Sequence, residues 1–200
     1  MSSTNRGAKR EPSDNYPTPG WCVRRLLEVW QPPAGVLVEP CCGDGAIIRQ
    51  MRRADWHWIS YDVREVEAVA EVHRQADFLT IATPGPTVKA VVTNPPYSQA
   101  EEFIRHSRRL YQYAELVFLL RLAFLASGDR VRLWSDLGVP SVYVLPNRPD
   151  FTGGGGDSTD YGWFHFEPRR IHQGVGALCI LKLTPLAERR ADKPPKEHDS

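Results

Sequence analysis

VLVEPCCGDG, residues 36–45, joins a run of apolar residues to a turn that contains a proline and two glycines. A segment with a helical pattern, Ala46–Arg53, follows directly. Glycine lets the backbone turn tightly and lets a ligand approach it closely. The stretch therefore predicts a strand, a turn of the size that a cofactor needs, and a helix.

The same alternation of apolar runs and amphipathic segments continues along the chain. We predict strands at 36–38, 57–61, 89–93, 116–120, 142–145, 161–166 and 177–183, and helices at 20–30, 46–53, 66–75, 98–113 and 129–137. Parallel neighbours need helical crossovers, so this order predicts an α/β fold with a doubly wound, mainly parallel sheet. The last strands lack such helices and should add antiparallel strands at one edge.

Length and composition limit the class of protein. With 200 residues, 42% of them hydrophobic, the chain should form one domain over residues 14–187, with disordered tails at 1–13 and 188–200. No apolar run reaches the roughly 18 residues that a membrane helix needs, and the start lacks a secretory signal, so we expect a cytoplasmic protein without a membrane partner. The four cysteines lack disulfide or zinc spacing, which predicts no metal site.

The charge pattern gives weak support for a polyanionic partner. A net charge of +1 argues against a uniformly basic surface. Arginine nevertheless outnumbers lysine 20 to 5, and a guanidinium group suits phosphates better than an ammonium does. Solvated helix faces are the alternative explanation for many of these arginines.

The turn after the first strand carries an acidic residue, Glu39, and lacks the dinucleotide pattern GxGxxG. A carboxylate here would repel a pyrophosphate and suit a cationic ligand such as S-adenosylmethionine, which has an ammonium and a sulfonium group. Asp62, about 20 residues beyond the turn, is placed to bind ribose hydroxyls. Asp77 and Phe78 could contact an adenine ring. The alternatives are a purely structural turn and, for Asp77, a helix cap.

AVVTNPPY, residues 90–97, is the most specific signal, because a buried strand ends in Asn-Pro-Pro-Tyr. The two prolines make the loop rigid, so that the Asn94 side chain and the Pro95 carbonyl are held as acceptors. The lone pair of an amine on an aromatic ring is delocalised. Hydrogen-bond acceptors that bind the N–H groups of such an amine would direct its lone pair at a methyl carbon. Tyr97 would stack on a base. A turn without chemistry is the alternative.

At these residues the chain resembles the DNA amino-methyltransferases, in particular N6-adenine enzymes of the phage type. Residues 94–97 resemble their catalytic motif, residues 39–45 are similar to their cofactor turn, and Tyr16-Pro17-Thr18-Pro19 resembles the segment that touches the methionine end of the cofactor. The motif order is that of the gamma arrangement. The resemblance implies a Rossmann-like class I methyltransferase fold, S-adenosylmethionine as cofactor, adenine in DNA as substrate, and a bacterial or phage-infected host cell.

The resemblance also assigns residues to roles. The expected cofactor residues are Tyr16, Thr18, Pro19, Glu39, Pro40, Cys41, Gly43, Gly45, Asp62, Asp77, Phe78 and Asn94. The expected catalytic residues are Asn94, Pro95, Pro96, Tyr97 and Phe151. Phe151 is the expected second face of a base clamp, with Tyr161 as the alternative, and Gly153–Gly156 indicates either a mobile flap or a plain connector.

DNA contact is expected from Arg148, Arg169 and Arg170, which would hold phosphates. The larger gamma enzymes carry a separate recognition domain, whereas fewer than twenty residues follow Leu183 here, so we expect a short or relaxed target sequence. The sequence leaves the oligomeric state open. It also leaves other functions open: methylation of an RNA base amine or of a protein glutamine amide, and a non-catalytic nucleic-acid-binding protein.

Overall fold

The computed structural model describes residues 17–151, 158–168 and 176–192. The strands in these ranges are β1 Gly35–Glu39, β2 Trp56–Asp62, β3 Val72–Gln75, β4 Val88–Thr93, β5 Glu115–Arg121, β6 Ser141–Val144, β7 Tyr161–Phe166 and β8 Leu178–Ile180. The helices are α1 Gly20–Leu27, α2 Ala46–Gln50, α3 Ala100–Leu110, α4 Val131–Leu137 and α5 Leu186–Ala191. Short 3₁₀ turns lie at Phe78–Thr80, Tyr97–Gln99, Leu122–Leu125 and Gly128–Arg130.

The strands form one sheet in the order β3-β2-β1-β4-β5-β7-β6-β8. Strand β7 runs antiparallel to both β5 and β6, and the other neighbours are parallel. The predicted α/β class with a mainly parallel sheet is therefore confirmed, and β7 supplies the antiparallel element near one edge. Because the strand order reverses between β1 and β4, ligands are expected beyond the carboxyl ends of these two strands.

Helices cover both faces of the sheet, which explains why the central strands are apolar on both sides. Successive residues point to opposite faces, so Leu37 packs with α1 and α2 while Val38 packs with α3. The same alternation holds in β5, where Leu119 and Phe118 belong to the two different clusters. Within the described ranges, no helix has the length and apolar character needed to cross a membrane.

The predicted helix at 66–75 is wrong. Residues 66–71 form a loop, and Val72–Gln75 is the edge strand β3, which pairs in parallel with Ile59–Asp62. Val66, Val69 and Ala70 have the spacing of a helix face, which produced the prediction. In the structure these three residues pack against the core from a loop. The side chains of β3 are mostly exposed and show no alternation of apolar and polar residues that would indicate a strand.

A helix also lies where the sequence predicts the start of a disordered tail. The expected boundary between residues 187 and 188 falls inside α5, which packs beside α1. Arg24 contacts Glu188 at 3.0 Å and Asp192 at 2.7 Å, and Asp192 also accepts a hydrogen bond of 2.6 Å from the Trp21 backbone N–H. Charged contacts hold this helix, and apolar periodicity does not reveal such contacts.

Replacing Asp192 with Ala should lower the stability of the protein. Pro19 precedes α1 and offers no side-chain cap, so Asp192 satisfies a first-turn N–H that would otherwise lack a partner. Loss of a capping carboxylate costs about 1 kcal/mol, or roughly 2 to 4 °C in melting temperature for a chain of this size. Differential scanning calorimetry would measure the shift. Glu67→Ala, which removes an exposed carboxylate from a loop, is the matched control, and equal melting temperatures would exclude the capping role.

Candidate functional site

An open cleft of about 820 Å³ lies beyond the carboxyl ends of β1, β2 and β4. This is the edge at which the strand order reverses. The predicted residues that line it are Thr18, Glu39, Pro40, Cys41, Gly43, Asp62, Asp77, Phe78, Asn94 and Pro96. Five separate segments of the chain therefore converge on one cleft.

The turn after β1 is fixed against the end of β2. The Cys42 N–H donates to the Tyr61 carbonyl at 2.9 Å, and the Gly43 N–H donates to Asp62 Oδ2 at 2.9 Å. Gly43 and Gly45 have φ angles of 52° and 77°, in the left-handed region that favours glycine. Gly45 does not line the cleft. A Cβ atom there would lie 2.5 Å from Val69, so its role is to shape the turn.

Asp62 is buried, and it accepts four hydrogen bonds. Besides Gly43, the donors are the Arg64 backbone N–H at 2.9 Å, its Nε at 3.0 Å and its Nη2 at 3.2 Å. Burial alone would raise the pKa of Asp62, but the bonds from Arg64 and Gly43 outweigh it and hold the pKa below its usual value. A carboxylate offers about four acceptor positions, so a ligand hydroxyl at Asp62 has to displace part of the Arg64 side chain.

Glu39 also lines the cleft and is only 2% exposed. Burial raises the pKa of this carboxyl well above its usual range, and the neighbouring charges of Asp44 and Asp62 add to the rise. Within the described part of the chain, the buried Oε2 atom has no hydrogen-bond partner. A buried carboxyl of this kind favours a ligand that carries a positive charge or hydrogen-bond donors.

The Asn94 loop is connected to the rest of the cleft by two contacts. Asn94 Nδ2 donates to Thr18 Oγ1 at 3.2 Å, in the segment that precedes α1. Cys41 Sγ lies 3.1 Å from Thr93 Oγ1, which joins the turn after β1 to the end of β4. The Asn94 NH₂ group is the donor in the contact with Thr18, and the amide oxygen is the acceptor end of the side chain.

Asp77 and Phe78 occupy the part of the cleft formed by the 3₁₀ turn after β3. Asp77 Oδ1 accepts a hydrogen bond of 2.9 Å from the Leu79 N–H, so the carboxylate caps the turn and lines the cleft at the same time. Phe78 stacks on Phe103, with ring centroids 6.0 Å apart. The cap that the sequence allowed as an alternative is therefore present, without removing Asp77 from the cleft.

The expected aromatic clamp is not assembled in this structure. Phe151 is 5% exposed and packs edge-on against Tyr161, with ring centroids 5.1 Å apart, away from the cleft. Tyr161 is fully buried and also contacts Tyr97 at 5.7 Å. Tyr97 lines a neighbouring depression, and neither Tyr97 nor the buried Pro95 lines the cleft that contains Asn94. Phe151 is held by core packing that its sequence neighbours do not reveal.

The remaining predicted residues are placed elsewhere. Pro19 precedes α1 and borders a pocket that adjoins the cleft, since Pro17, Thr18, Asp44 and Ala46 line both. Arg148 is exposed and pairs with Asp160 at 2.9 Å. Tyr16, Gly153–Gly156, Arg169 and Arg170 lie outside the described residues.

The cleft also contains residues that the sequence reasoning did not select. They are Pro17, Cys42, Asp44, Ala46, Ile47, Val63, Arg64, Gln99 and Phe103. Most of them are next to a predicted residue in the sequence, and this proximity was the only signal that could have identified them as cleft residues. Phe103 was not detectable in this way, because it reaches the cleft from the face of α3.

Neither a protein-family model nor a curated protein matches the sequence, whereas solved structures share its fold. A Listeria monocytogenes protein described as a class I S-adenosylmethionine-dependent methyltransferase has a TM-score of 0.58 and 14% identity, over 92% of this chain and 71% of that one. The methyltransferase subunit of a type I restriction-modification system from Streptococcus thermophilus has a TM-score of 0.65 and 15% identity, over 90% and 53%. The 23S rRNA methyltransferase ErmE has a TM-score of 0.53 and 17% identity, over 86% and 73%.

These similarities establish the fold. The eight-stranded sheet with one antiparallel strand is the Rossmann-like fold of class I methyltransferases. The chain spans about half the length of the type I restriction-modification subunit.

Replacing Gly45 with Ala should destabilise the turn. The residue would keep a left-handed conformation, which costs about 1 to 2 kcal/mol, and its Cβ would push Val69 away. We expect the melting temperature to fall by roughly 4 °C or more. Gly85→Ala is the matched control, since no atom lies within 4 Å of a Cβ there and the φ angle is ordinary. Thermal unfolding that is identical for the two variants would contradict the proposed role of Gly45.

Proposed function

We propose that the protein transfers a methyl group from S-adenosylmethionine to the exocyclic N6 amino group of adenine in DNA. The observation that carries this proposal is the position of the Asn94-Pro95-Pro96-Tyr97 loop. It follows β4 at the reversal of the strand order, beside a cleft lined by the carboxyl groups of Glu39 and Asp62. An amine-binding loop and a site for a cationic cofactor are thus adjacent.

The residues of the cleft fit this cofactor. Glu39 supplies a buried carboxyl group whose Oε2 atom has no partner among the described residues, and it suits a cationic group. Asp62 would accept bonds from the ribose hydroxyls, while Asp77 and Phe78 would contact the adenine ring. Bound S-adenosylmethionine supplies an electrophilic methyl group, and the protein provides the orientation.

The Asn94 loop would bind and orient the substrate amine. The lone pair of an exocyclic amine is delocalised into the ring, which makes the nitrogen a weak nucleophile. Hydrogen bonds from the amine to the Asn94 amide oxygen and to the Pro95 carbonyl would favour a pyramidal nitrogen and direct its lone pair toward the methyl carbon. The Thr18 contact fixes the side-chain orientation that this role needs.

Two of the structural neighbours bear on the substrate. The Streptococcus thermophilus protein is a methyltransferase subunit of a restriction-modification system, which supports DNA as the substrate. ErmE acts on 23S rRNA, so an RNA base amine is the second candidate. The motif order and the similarity of residues 39–45 and 94–97 to phage-type N6-adenine enzymes favour DNA.

Mass spectrometry of nucleosides would decide between these substrates. DNA and RNA are incubated separately with the protein and with cofactor that carries an isotopically labelled methyl group. We expect labelled N6-methyladenine from DNA. Label found in RNA alone would favour the second candidate, and no label in either would contradict methyl transfer to a nucleic-acid base.

Replacing Asp62 with Ala should weaken binding of S-adenosylmethionine. Loss of a charge-assisted contact costs about 1.5 to 3 kcal/mol, which corresponds to roughly a tenfold to hundredfold rise in Kd. Isothermal titration calorimetry would measure it, with circular dichroism to show that the variant folds. Glu65→Ala, an exposed carboxylate close by, is the control. Unchanged affinity in a folded Asp62→Ala protein would remove Asp62 from the cofactor site.

Replacing Asn94 with Ala should impair chemistry more than cofactor binding. Asn94 is proposed to orient the amine, so methylation should fall by at least ~10²-fold, the scale of one preorganised polar contact. Cofactor affinity should stay within about tenfold. Ser98→Ala, in the exposed turn after the loop, is the matched control. Asn94→Ala activity close to that of Ser98→Ala would refute the proposed role.

A further inference from the structure

A second depression lies on the other side of the Asn94 loop from the cofactor cleft. It has a volume of about 600 Å³ and lies at the carboxyl end of β5. Tyr97, Leu120 and Phe124 supply its apolar surface, and Arg121 and Arg130 supply its charge. No carboxylate is among the described residues that line it.

Both guanidinium groups lie over aromatic rings. The Arg130 Cζ atom is 4.0 Å from the centroid of the Phe124 ring, and Arg130 Nη1 donates to the Phe124 carbonyl at 3.2 Å. The Arg121 Cζ atom is 4.7 Å from the centroid of the Tyr97 ring. Arg121 Nε also donates to the Tyr161 hydroxyl oxygen at 3.4 Å. Stacking fixes the plane of a guanidinium group, and its N–H groups lie in that plane. The two groups are thus preorganised before any ligand arrives.

The chemistry of the depression suits a phosphodiester backbone. Two fixed, planar cations beside apolar side chains match the alternation of phosphate and sugar in a nucleic-acid strand. The nearest acidic neighbour in sequence is Asp129, which is exposed and does not line the depression, and Arg132 follows on α4. Among the described residues the lining of the depression is cationic, which favours a polyanion.

The location relates this surface to the substrate. Asn94 and Pro96 line the cofactor cleft, whereas Tyr97 of the same loop lines the depression. Because Arg121 contacts the Tyr97 ring, a phosphate bound by Arg121 would belong to a nucleotide next to the base that Tyr97 contacts. A DNA strand that delivers a base to Asn94 would pass over this surface.

We propose that Arg121 and Arg130 hold the phosphodiester backbone of the DNA strand beside the target adenine. This inference rests on the proposed function for its substrate. It adds a contact surface at the end of β5, distinct from the expected phosphate contacts at Arg148, Arg169 and Arg170. It also gives the folded chain a way to bind DNA close to the reacting base.

The test measures DNA binding independently of methylation. Fluorescence anisotropy follows a labelled DNA duplex that contains one adenine target, at several salt concentrations, with wild-type protein and with Arg130→Ala. We expect about tenfold weaker binding for the variant and a salt dependence of log K that is shallower by roughly one ion, the effect of one lost phosphate contact. Arg121→Ala should give a similar shift.

Arg52→Ala is the matched control, because it removes the same charge from an exposed residue that follows α2, near the amino ends of the strands. Arg130→Gln keeps a donor for the Phe124 carbonyl and serves if Arg130→Ala fails to fold. The proposal is overturned if the Arg130 variants bind DNA as tightly as Arg52→Ala does. It is also overturned if the wild-type protein binds no DNA, or if its Arg130-dependent binding is tighter for an RNA of the same sequence.

The outcomes also separate this proposal from the proposed function. DNA binding that depends on Arg130, in a protein that binds no S-adenosylmethionine, would support the surface and contradict the methyltransferase proposal. If Arg130→Ala and Arg52→Ala methylate DNA equally well and bind DNA equally tightly, the methyltransferase proposal is supported and the proposed role of Arg121 and Arg130 is overturned.

Discussion

The hydrogen bond from the Gly43 N–H to Asp62 joins the turn after β1 to the end of β2, and the candidate site depends on it. Gly43 has a left-handed backbone conformation, and Glu39 and Asp62 line the same cleft. Arg64 completes the arrangement by binding both oxygens of Asp62. Together with the hydrogen bond from the Cys42 N–H to the Tyr61 carbonyl, the contact between Gly43 and Asp62 holds the turn after β1 against the end of β2.

Two of the carboxyl groups that line this cleft, Glu39 and Asp62, have pKa values shifted in opposite directions for a physical reason. Asp62 has charged and backbone donors, so its pKa lies below the usual value, whereas burial and neighbouring negative charge raise the pKa of Glu39. Two adjacent carboxylates without counter-charges would repel each other. Arg64 relieves this repulsion at Asp62, whereas the charge of Arg49 only partly offsets it at Glu39. A cationic ligand would provide at Glu39 what Arg64 provides at Asp62. The electrostatics of the protein alone thus favour a cation at one end of the cleft.

The sequence predicted the features that depend on local pattern. Alternating apolar runs predicted most of the strands along the chain. The glycine turn and the Asn94 loop predicted the edge of the sheet at which the cleft lies, because such turns need particular backbone angles. Features that depend on tertiary contact were missed. Residues 66–75 have helical spacing but pack as a loop and an edge strand, α5 is held by Arg24, and Phe151 is buried against Tyr161. Long-range packing and charge pairing leave little trace in periodicity.

The burial of Phe151 changes how a base contact at Tyr97 has to be understood. The Tyr97 ring contacts Tyr161 and lies beneath the Arg121 guanidinium group, so two neighbours fix its orientation. On the proposed function, the flat group that joins Tyr97 in holding the base is then the guanidinium plane of Arg121 rather than the Phe151 ring. Guanidinium planes and aromatic rings both stack on nucleic-acid bases, so the loss of one aromatic face does not remove the means of holding an extruded base. Arg121 would then link the contact with the DNA backbone to the orientation of the base. The same side chain lines the depression proposed for the phosphates and lies over the Tyr97 ring.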